Sequence, residues 1–404
     1  MRRRSLEVAV VFAFAILLVS RSVLLPSWAS QVAPLLAGLL IFAGSLPYLQ
    51  RFRVPSSAIL VGLLVAVYVA ASAASGVTDN FVKSLSIGFL WFVAFLVAAN
   101  VEPNEKSRFF KLVLVAAVLE LAIAVGETLI GLPSIRSMVA ATQDGIYTVR
   151  PNTILGAWTN RAQGTIGYPI PLAHFFALGL AIVVFAHLGL SIFNRWLAAI
   201  LLFAGILLTG TRSGVAAALA SLAAGLLVSR RGEQSKLRIW LLVLLATAAL
   251  LGVLILMDQE NLSTDGSFTH RVGVLTSIGE IVRLPAERVL FGSGLNSHES
   301  LFELGYLGTS GTFAVDNGFI TLLIYTGVVG LVSFLVVTGR ALGHGTPDEV
   351  SVLVGSLTFS MTYDFINWHL HAALFFAMAG LTFSRQNTFF DTDPKVSVIN
   401  RSEA

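Results

Sequence analysis

Apolar runs long enough to cross a hydrocarbon layer recur from Leu6 to Phe383, and no other feature constrains the fold as strongly. A layer of about 30 Å takes about 20 helical residues, and roughly twelve such runs follow one another along the chain. The bilayer interior offers backbone amides no water, so a spanning segment is either a helix or part of a closed barrel. Hydrophobicity that is continuous rather than alternating selects helices. The expected fold is an all-α polytopic membrane protein of about twelve transmembrane helices, forming a single integral membrane domain over residues 1–404. Charge agrees, because only 12% of residues are charged and 56% are hydrophobic, whereas soluble domains carry about 25% charge. The opening MRRR and the apolar run that reaches Leu25 read as an uncleaved first helix, since further spans follow. Cysteine is absent, which excludes disulfides and thiolate metal sites, and the seven histidines show no HExxH-like spacing. No metal and no other cofactor is required.

Lys and Arg in short loops are retained on the cytoplasmic side. Arg2 to Arg4, Arg51 and Arg53, Lys106 with Arg108 and Lys111, Arg195, the SRRGEQSKLR loop, Arg340 and the tail at 385–404 fall on one face if the helices alternate. Both termini are then cytoplasmic, and two long polar stretches, 132–168 and 258–315, lie outside. Loops of that size in a compact helical protein are usually functional, so the chemistry is expected on the outer face. The net charge of +4 is a consequence of the cytoplasmic basic residues and points to no nucleic acid.

Seven arginines fall outward against that rule: Arg136, Arg150, Arg161, Arg212, Arg271, Arg283 and Arg288. Long loops are translocated regardless of charge, so Arg136, Arg150, Arg283 and Arg288 read as solvated loop residues. Arg212 differs because its segment, TGTRSG, is a tight turn between the apolar runs from Trp196 to Leu208 and from Val215 to Val228. Thr211 or Ser213 is placed to cap the second helix. A cation at a helix N-terminus is unfavourable by some tenths of a kcal/mol. An anion resolves the conflict, since free amides, hydroxyls and a guanidinium converging at one point make a phosphate or diphosphate site. The competing reading is an interfacial arginine reaching to lipid phosphates.

Three more elements lie outward. In His270 to Ser297, residues Val272, Leu275, Ile278 and Val282 recur at helical spacing and predict a helix across the membrane surface, with Arg271 in its first turn and the glycines of FGSG marking a turn after it. NRAQGTIGYP places Arg161 just before a Gly- and Pro-containing entry to a helix. AVDNGFITLL opens an outer helix end with Asp316 and Asn317, either of which is an ordinary helix cap.

Taken in order, RxxGTxGxP at Arg161, TGTRSG, an arginine ahead of FGSG, and the DN element followed by GVVGL resemble segments of the O-antigen ligase and polysaccharide polymerase superfamily of bacterial membrane glycosyltransferases. The resemblance spans Arg161 to Leu331. It implies a class-C glycosyltransferase-like fold with a large outer loop between the ninth and tenth spans. It also implies metal-independent, inverting transfer of undecaprenyl-diphosphate-linked glycans at the periplasmic face of the inner membrane. By the same resemblance, Arg212 and Arg271 hold the donor diphosphate and Arg161 takes the RxxG position. Ligases of the family, which transfer glycan to lipid A-core, place a histidine base where this chain has Asp316, and that departure favours a polymerase over a ligase. An inverting transfer needs one group to take the acceptor proton and cations to neutralise the departing diphosphate, roles open to Asp316 and to the arginines.

Other polar residues carry alternatives. Glu120 and Glu127 lie seven apart on one helix face, where they bind acceptor sugar, line a pathway or pair within the bundle. Asn317, His298, Trp368 and His369 are candidates for holding the acceptor, Trp368 by stacking on sugar, although interfacial Trp and His are common. His298 is also a substitute base, and His174 is expected to face the bundle. Expected partners are the lipid-linked glycans, membrane lipids and a chain-length regulator. A ligase that moves finished glycan is the alternative within the family. A lipid-linked glycan transporter is the alternative of another class, disfavoured because no internal repeat is seen.

Overall fold

The computed structural model describes residues 2–20, 27–133, 151–152, 154–229, 276–307 and 315–384. The first five helices are α1 (Arg2–Val19), α2 (Ser27–Ser45), α3 (Ser56–Ala74), α4 (Thr78–Ala98) and α5 (Pro103–Val125), the last running into a π-helical turn at Gly126–Ile130. After a small hairpin come α6 (Pro169–Phe185), α7 (Ile192–Leu208) and α8 (Arg212–Ser229). Three short helices follow, α9 (Ile278–Ile281), α10 (Ala286–Phe291) and α11 (Ser297–Glu303). The chain closes with α12 (Gly318–His344), α13 (Pro347–Ser360) and α14 (His369–Ser384). Among the described residues, six helices are long and apolar enough to cross a membrane, and α1, α6, α7 and α14 supply shorter apolar ones. The count of about twelve spans includes the apolar run at 239–257, which lies outside the described residues.

Helix starts follow local chemistry. A capping box joins Glu102 and Glu105 around Pro103 at the start of α5, and another joins Thr346 and Glu349 around Pro347 at the start of α13. These two starts are also tied to each other. Lys106 reaches Asp348 at 2.7 Å, Glu349 at 2.5 Å and the Thr346 hydroxyl at 3.1 Å. At the same end Arg108 pairs with Glu7, and Arg340 donates to Ser56 at 3.3 Å.

Between the ends the bundle is closed by rings and small residues. Tyr325, Tyr68, Trp91 and Phe376 form a stacked column through α12, α3, α4 and α14, with neighbouring centroids 5.2–6.1 Å apart. Helices α8 and α13 approach closely through Ser221 and Ser351, each hydroxyl donating to the other residue's carbonyl at 2.7 Å. Small facing residues allow backbones that contact, which is how helices associate where lipid supplies no hydrophobic drive.

The described residues are mostly helical, as expected of an all-α fold, with one small hairpin besides. Residues Pro151–Asn152 and Gly156–Asn160 form an antiparallel hairpin, because the Asn152 side chain accepts from the amides of Ile154 and Leu155 and turns the chain. The described part of the surface helix expected from Val272, Leu275, Ile278 and Val282 is the short α9, and a second short helix, α10, follows it after Pro285. Proline fits the start of α10 and disfavours a helical residue before it, so the two pieces are separate.

The FGSG segment also does more than turn. Helix α12 breaks at Gly327, whose φ of 62° and ψ of −168° lie far from helical values. Segment 292–294 lies against the break, with Ser293 N–H donating to the Ile324 carbonyl at 2.7 Å and Gly294 N–H to the Tyr325 carbonyl at 3.2 Å. Side-chain carbons at Gly292 or Gly327 would overlap the backbone of Tyr325 or Leu290. Carbonyls exposed by the break are thus satisfied by a loop that only glycine can bring this close.

Candidate functional site at the outer helix ends

The turn TGTRSG is built from both sides. Gly210 adopts a φ of 62° after α7, and the Asn152 amide donates to the carbonyls of Leu207 and Leu208 at 2.9 and 3.0 Å. Arg161 donates through Nε to the Thr209 carbonyl at 2.8 Å and through Nη2 to the Thr211 hydroxyl at 2.9 Å. Thr211, a candidate cap in the sequence, therefore accepts from a guanidinium. Arg212 follows as the first residue of α8 and is exposed. Arg161 and Arg212 are thus brought to one turn, Arg161 bracing it and Arg212 presented by it. Arg271, like Arg136 and Arg150, lies outside the described residues.

The loop carrying Arg161 is held by the two membrane carboxylates. Glu127, in the π turn, accepts from the amides of Gln163 and Gly164 at 2.7 and 3.0 Å. Glu120 accepts from the Thr165 amide at 2.9 Å and from its hydroxyl. Their roles in the described structure are as anchors for the RAQGTIG backbone. Glu127 Oε1 is buried without a hydrogen-bond partner among the described residues.

Asp316 and Asn317 enter α12 in different ways. The Asn317 side chain caps the helix, accepting from Phe319 and Ile320 at 3.0 and 3.1 Å. Asp316 is one residue further out and half-buried, and its carboxylate takes neither amide. Gly318 faces Ser360 and Phe365, where α13 ends; Ser221 meets Ser351 while Gly355 lies against Ser221 and Ala217, so α8 and α13 run antiparallel. The start of α8, with Arg212, is therefore level with the end of α13 and with the entry to α12.

Within this region, residues 197–335 match the O-antigen ligase family. The chain carries an O-antigen ligase domain. The match supports a membrane enzyme of the O-antigen ligase and polymerase type. No curated protein matches the chain. The matched O-antigen ligase segment is about a third of the sequence and contains TGTRSG, Arg271, FGSG, His298 and Asp316. Arg161, Glu120, Glu127, Trp368 and His369 lie outside it, and Arg161 is joined to it through Thr209 and Thr211.

His298, on α11, is half-buried, and its Nδ1 lies 3.0 Å from the Tyr325 hydroxyl. Burial pushes its imidazole below the ordinary value, with Glu299 acting in the opposite direction. Trp368 stacks on Tyr168, centroids 6.2 Å apart, and packs edge-on against His371. Trp368, His369, Ile166 and Ser20 line a small cavity whose space for water-sized molecules is about 10 Å³. His174 is fully buried between Tyr363 and Ser356, at 2.5 and 2.9 Å, and is a packing residue.

Sequence reasoning missed Asp364 as a site group. It lies in the turn between α13 and α14, accepting from the Ile366 amide at 3.2 Å and from the Asn367 side chain. Burial pushes its carboxyl up to about 7, against the bonds from Asn367 and Ile366. An acidic residue amid apolar sequence at an outer helix end was the available signal.

Proposed function

We propose that the protein is a polysaccharide polymerase, transferring a growing glycan from undecaprenyl diphosphate to a lipid-linked repeat unit at the periplasmic face of a bacterial inner membrane. Asp316 takes the proton of the acceptor hydroxyl. The freed oxygen attacks the anomeric carbon from the side opposite the diphosphate, the bond to the diphosphate oxygen breaks, and the configuration inverts. Arg212 and Arg271 receive the charge of the departing undecaprenyl diphosphate, and Arg161 positions the turn that carries Arg212.

The observation that supports this reading most is the presentation of exposed Arg212 at the start of an apolar helix. That end is where an anion complements both the guanidinium and the helix dipole. Asp316 suits the base role because Asn317 takes the capping bonds that would otherwise occupy it. A ligase is the second reading, favoured by the description of the matched family.

Purified protein in liposomes, given short lipid-linked repeat units and no energy source, is expected to lengthen them. Transfer only to an added lipid A-core acceptor would replace polymerase by ligase, and movement across the bilayer without new bonds would replace both by a transporter. Asp316→Asn, with expression verified, is expected to stop elongation.

A further inference from the structure

A hydrogen-bond chain that the reaction above does not use runs from the turn after α13 to the outer surface. Asp364 accepts from the Asn367 amide, and the same amide nitrogen donates to the Tyr325 hydroxyl oxygen at 3.1 Å. The Tyr325 hydroxyl lies 3.0 Å from His298 Nδ1. His298 Nε2 makes no hydrogen bond among the described residues and belongs to a half-buried side chain.

Counting donors and acceptors gives the chain a direction. In its ionised form, above about pH 7, Asp364 only accepts and so holds the Asn367 side chain with its NH₂ group toward both Asp364 and Tyr325. The Tyr325 oxygen then accepts from that amide. Tyr325 is buried, so its phenol proton needs an acceptor; the Asn367 NH₂ group cannot be one, and His298 Nδ1 is in reach. Nδ1 is the acceptor of that proton, which leaves the ring hydrogen on Nε2. In the opposite tautomer, Nδ1–H would be directed at the Tyr325 oxygen and the buried phenol proton would lose its acceptor.

We propose that His298 is a neutral imidazole locked with Nε2–H outward, a hydrogen-bond donor to an acceptor-sugar oxygen, with Tyr325, Asn367 and Asp364 as the residues that position it. The assignment removes His298 from the list of substitute bases, because its basic nitrogen is taken by Tyr325. The surroundings fit sugar better than diphosphate. The adjoining contacts are neutral, with the Asn296 side chain donating to Asn80 at 3.0 Å and the Leu295 amide to the Ser72 hydroxyl at 3.0 Å. Diphosphate recognition calls on cations, whereas sugar hydroxyls pair with amides and imidazoles that both give and accept. The ligand rests on the glycan-transfer reading; the locked tautomer does not.

The test uses the full-length protein with ¹⁵N-labelled imidazoles, the His298 signals being those lost in His298→Gln. At a pH above the Asp364 value of about 7, where its carboxyl is ionised, we expect a protonated Nε2 and an unprotonated Nδ1. Tyr325→Phe and Asp364→Asn are expected to move the signals toward a mixture of tautomers. A protonated Nδ1, or an imidazolium, in the wild-type protein would overturn the lock whether or not the protein elongates glycan. In the liposome assay, glutamine carries an N–H near the Nε2 position and asparagine near Nδ1. His298→Gln is expected to stay within about threefold of wild type, while His298→Asn and His298→Ala raise KM for the acceptor about 10- to 100-fold, the scale of one buried hydrogen bond. Loss of activity in His298→Gln equal to that in His298→Ala would overturn the donor role. Absence of elongation by wild type would count against the glycan reading and leave the tautomer result to decide the lock.

Discussion

Two charge clusters at opposite ends of the bundle use the same kinds of residue in opposite ways. Around Lys106 a cation meets carboxylates directly: Lys106 lies between Asp348 and Glu349, and at the same end Arg108 pairs with Glu7. Around Arg161 the carboxylates of Glu120 and Glu127 accept backbone amides, and Arg161 donates to a carbonyl and a hydroxyl. The Lys106 cluster fastens helix to helix. The Arg161 cluster fastens a loop and a turn, with Arg212 exposed on that turn. The difference teaches that charge at a helix end is read from what it bonds, since residue type alone is the same in both clusters.

The sharpest way to break the comparison is to exchange its endpoints. Lys106→Ala leaves two mostly buried carboxylates without their cation and is expected to cost about 3–5 kcal/mol of stability, with little change in turnover per folded molecule. Arg212→Ala is expected to leave the melting temperature unchanged and to lower elongation about 10²- to 10³-fold, the scale of one lost charge-stabilising donor. Parallel thermal melts and liposome assays check both. If Arg212→Ala lost stability and Lys106→Ala lost turnover, the contrast would be inverted.

Smaller changes sharpen it. Arg161→Ala removes two charged hydrogen bonds from the turn and is expected to cost about 1.5–3 kcal/mol. Arg161→Lys should not restore them, since one ammonium does not reproduce the fork that spans Thr209 and Thr211. Asn317→Ala is expected to cost about 1 kcal/mol by loss of the α12 cap, and Asn317→Asp to recover most of it. Both follow from thermal unfolding in detergent.

The pH dependence at the outer end has a definite sign. Asp364 titrates near 7 in the folded protein and near 3.8 when unfolded, so the folded state holds its proton more tightly. Its contribution is most favourable below pH 3.8 and is lost as pH rises through about 7. Asp364→Asn should flatten this part of the stability profile, and an unchanged profile would remove the burial of Asp364 as its cause.

Much of the frame was legible because continuous apolar runs leave a membrane chain few alternatives to helices. The turn at TGTRSG was legible for a related reason, since a glycine- and threonine-rich break between two such runs has one place to lie. What the turn bonds was not. Glu120 and Glu127 could be assigned to one helix face from their spacing, yet their partners at 163–165 are set by folding across 36 to 45 residues. The choice between Asp316 and Asn317 as cap was open because both side chains suit the position. His298, Tyr325, Asn367 and Asp364 come from three separate segments, and no local spacing links them.

The absence of cysteine from the sequence allows the most direct test of a lipid diphosphate received beside Arg212 on the outer face. A single cysteine at Ser213, in a variant that still elongates glycan, would be exposed to a membrane-impermeant maleimide added to spheroplasts. The account predicts labelling from outside and slower labelling when undecaprenyl diphosphate is supplied. Labelling only after the cytoplasmic face is opened, or an outside rate untouched by the lipid, would contradict it.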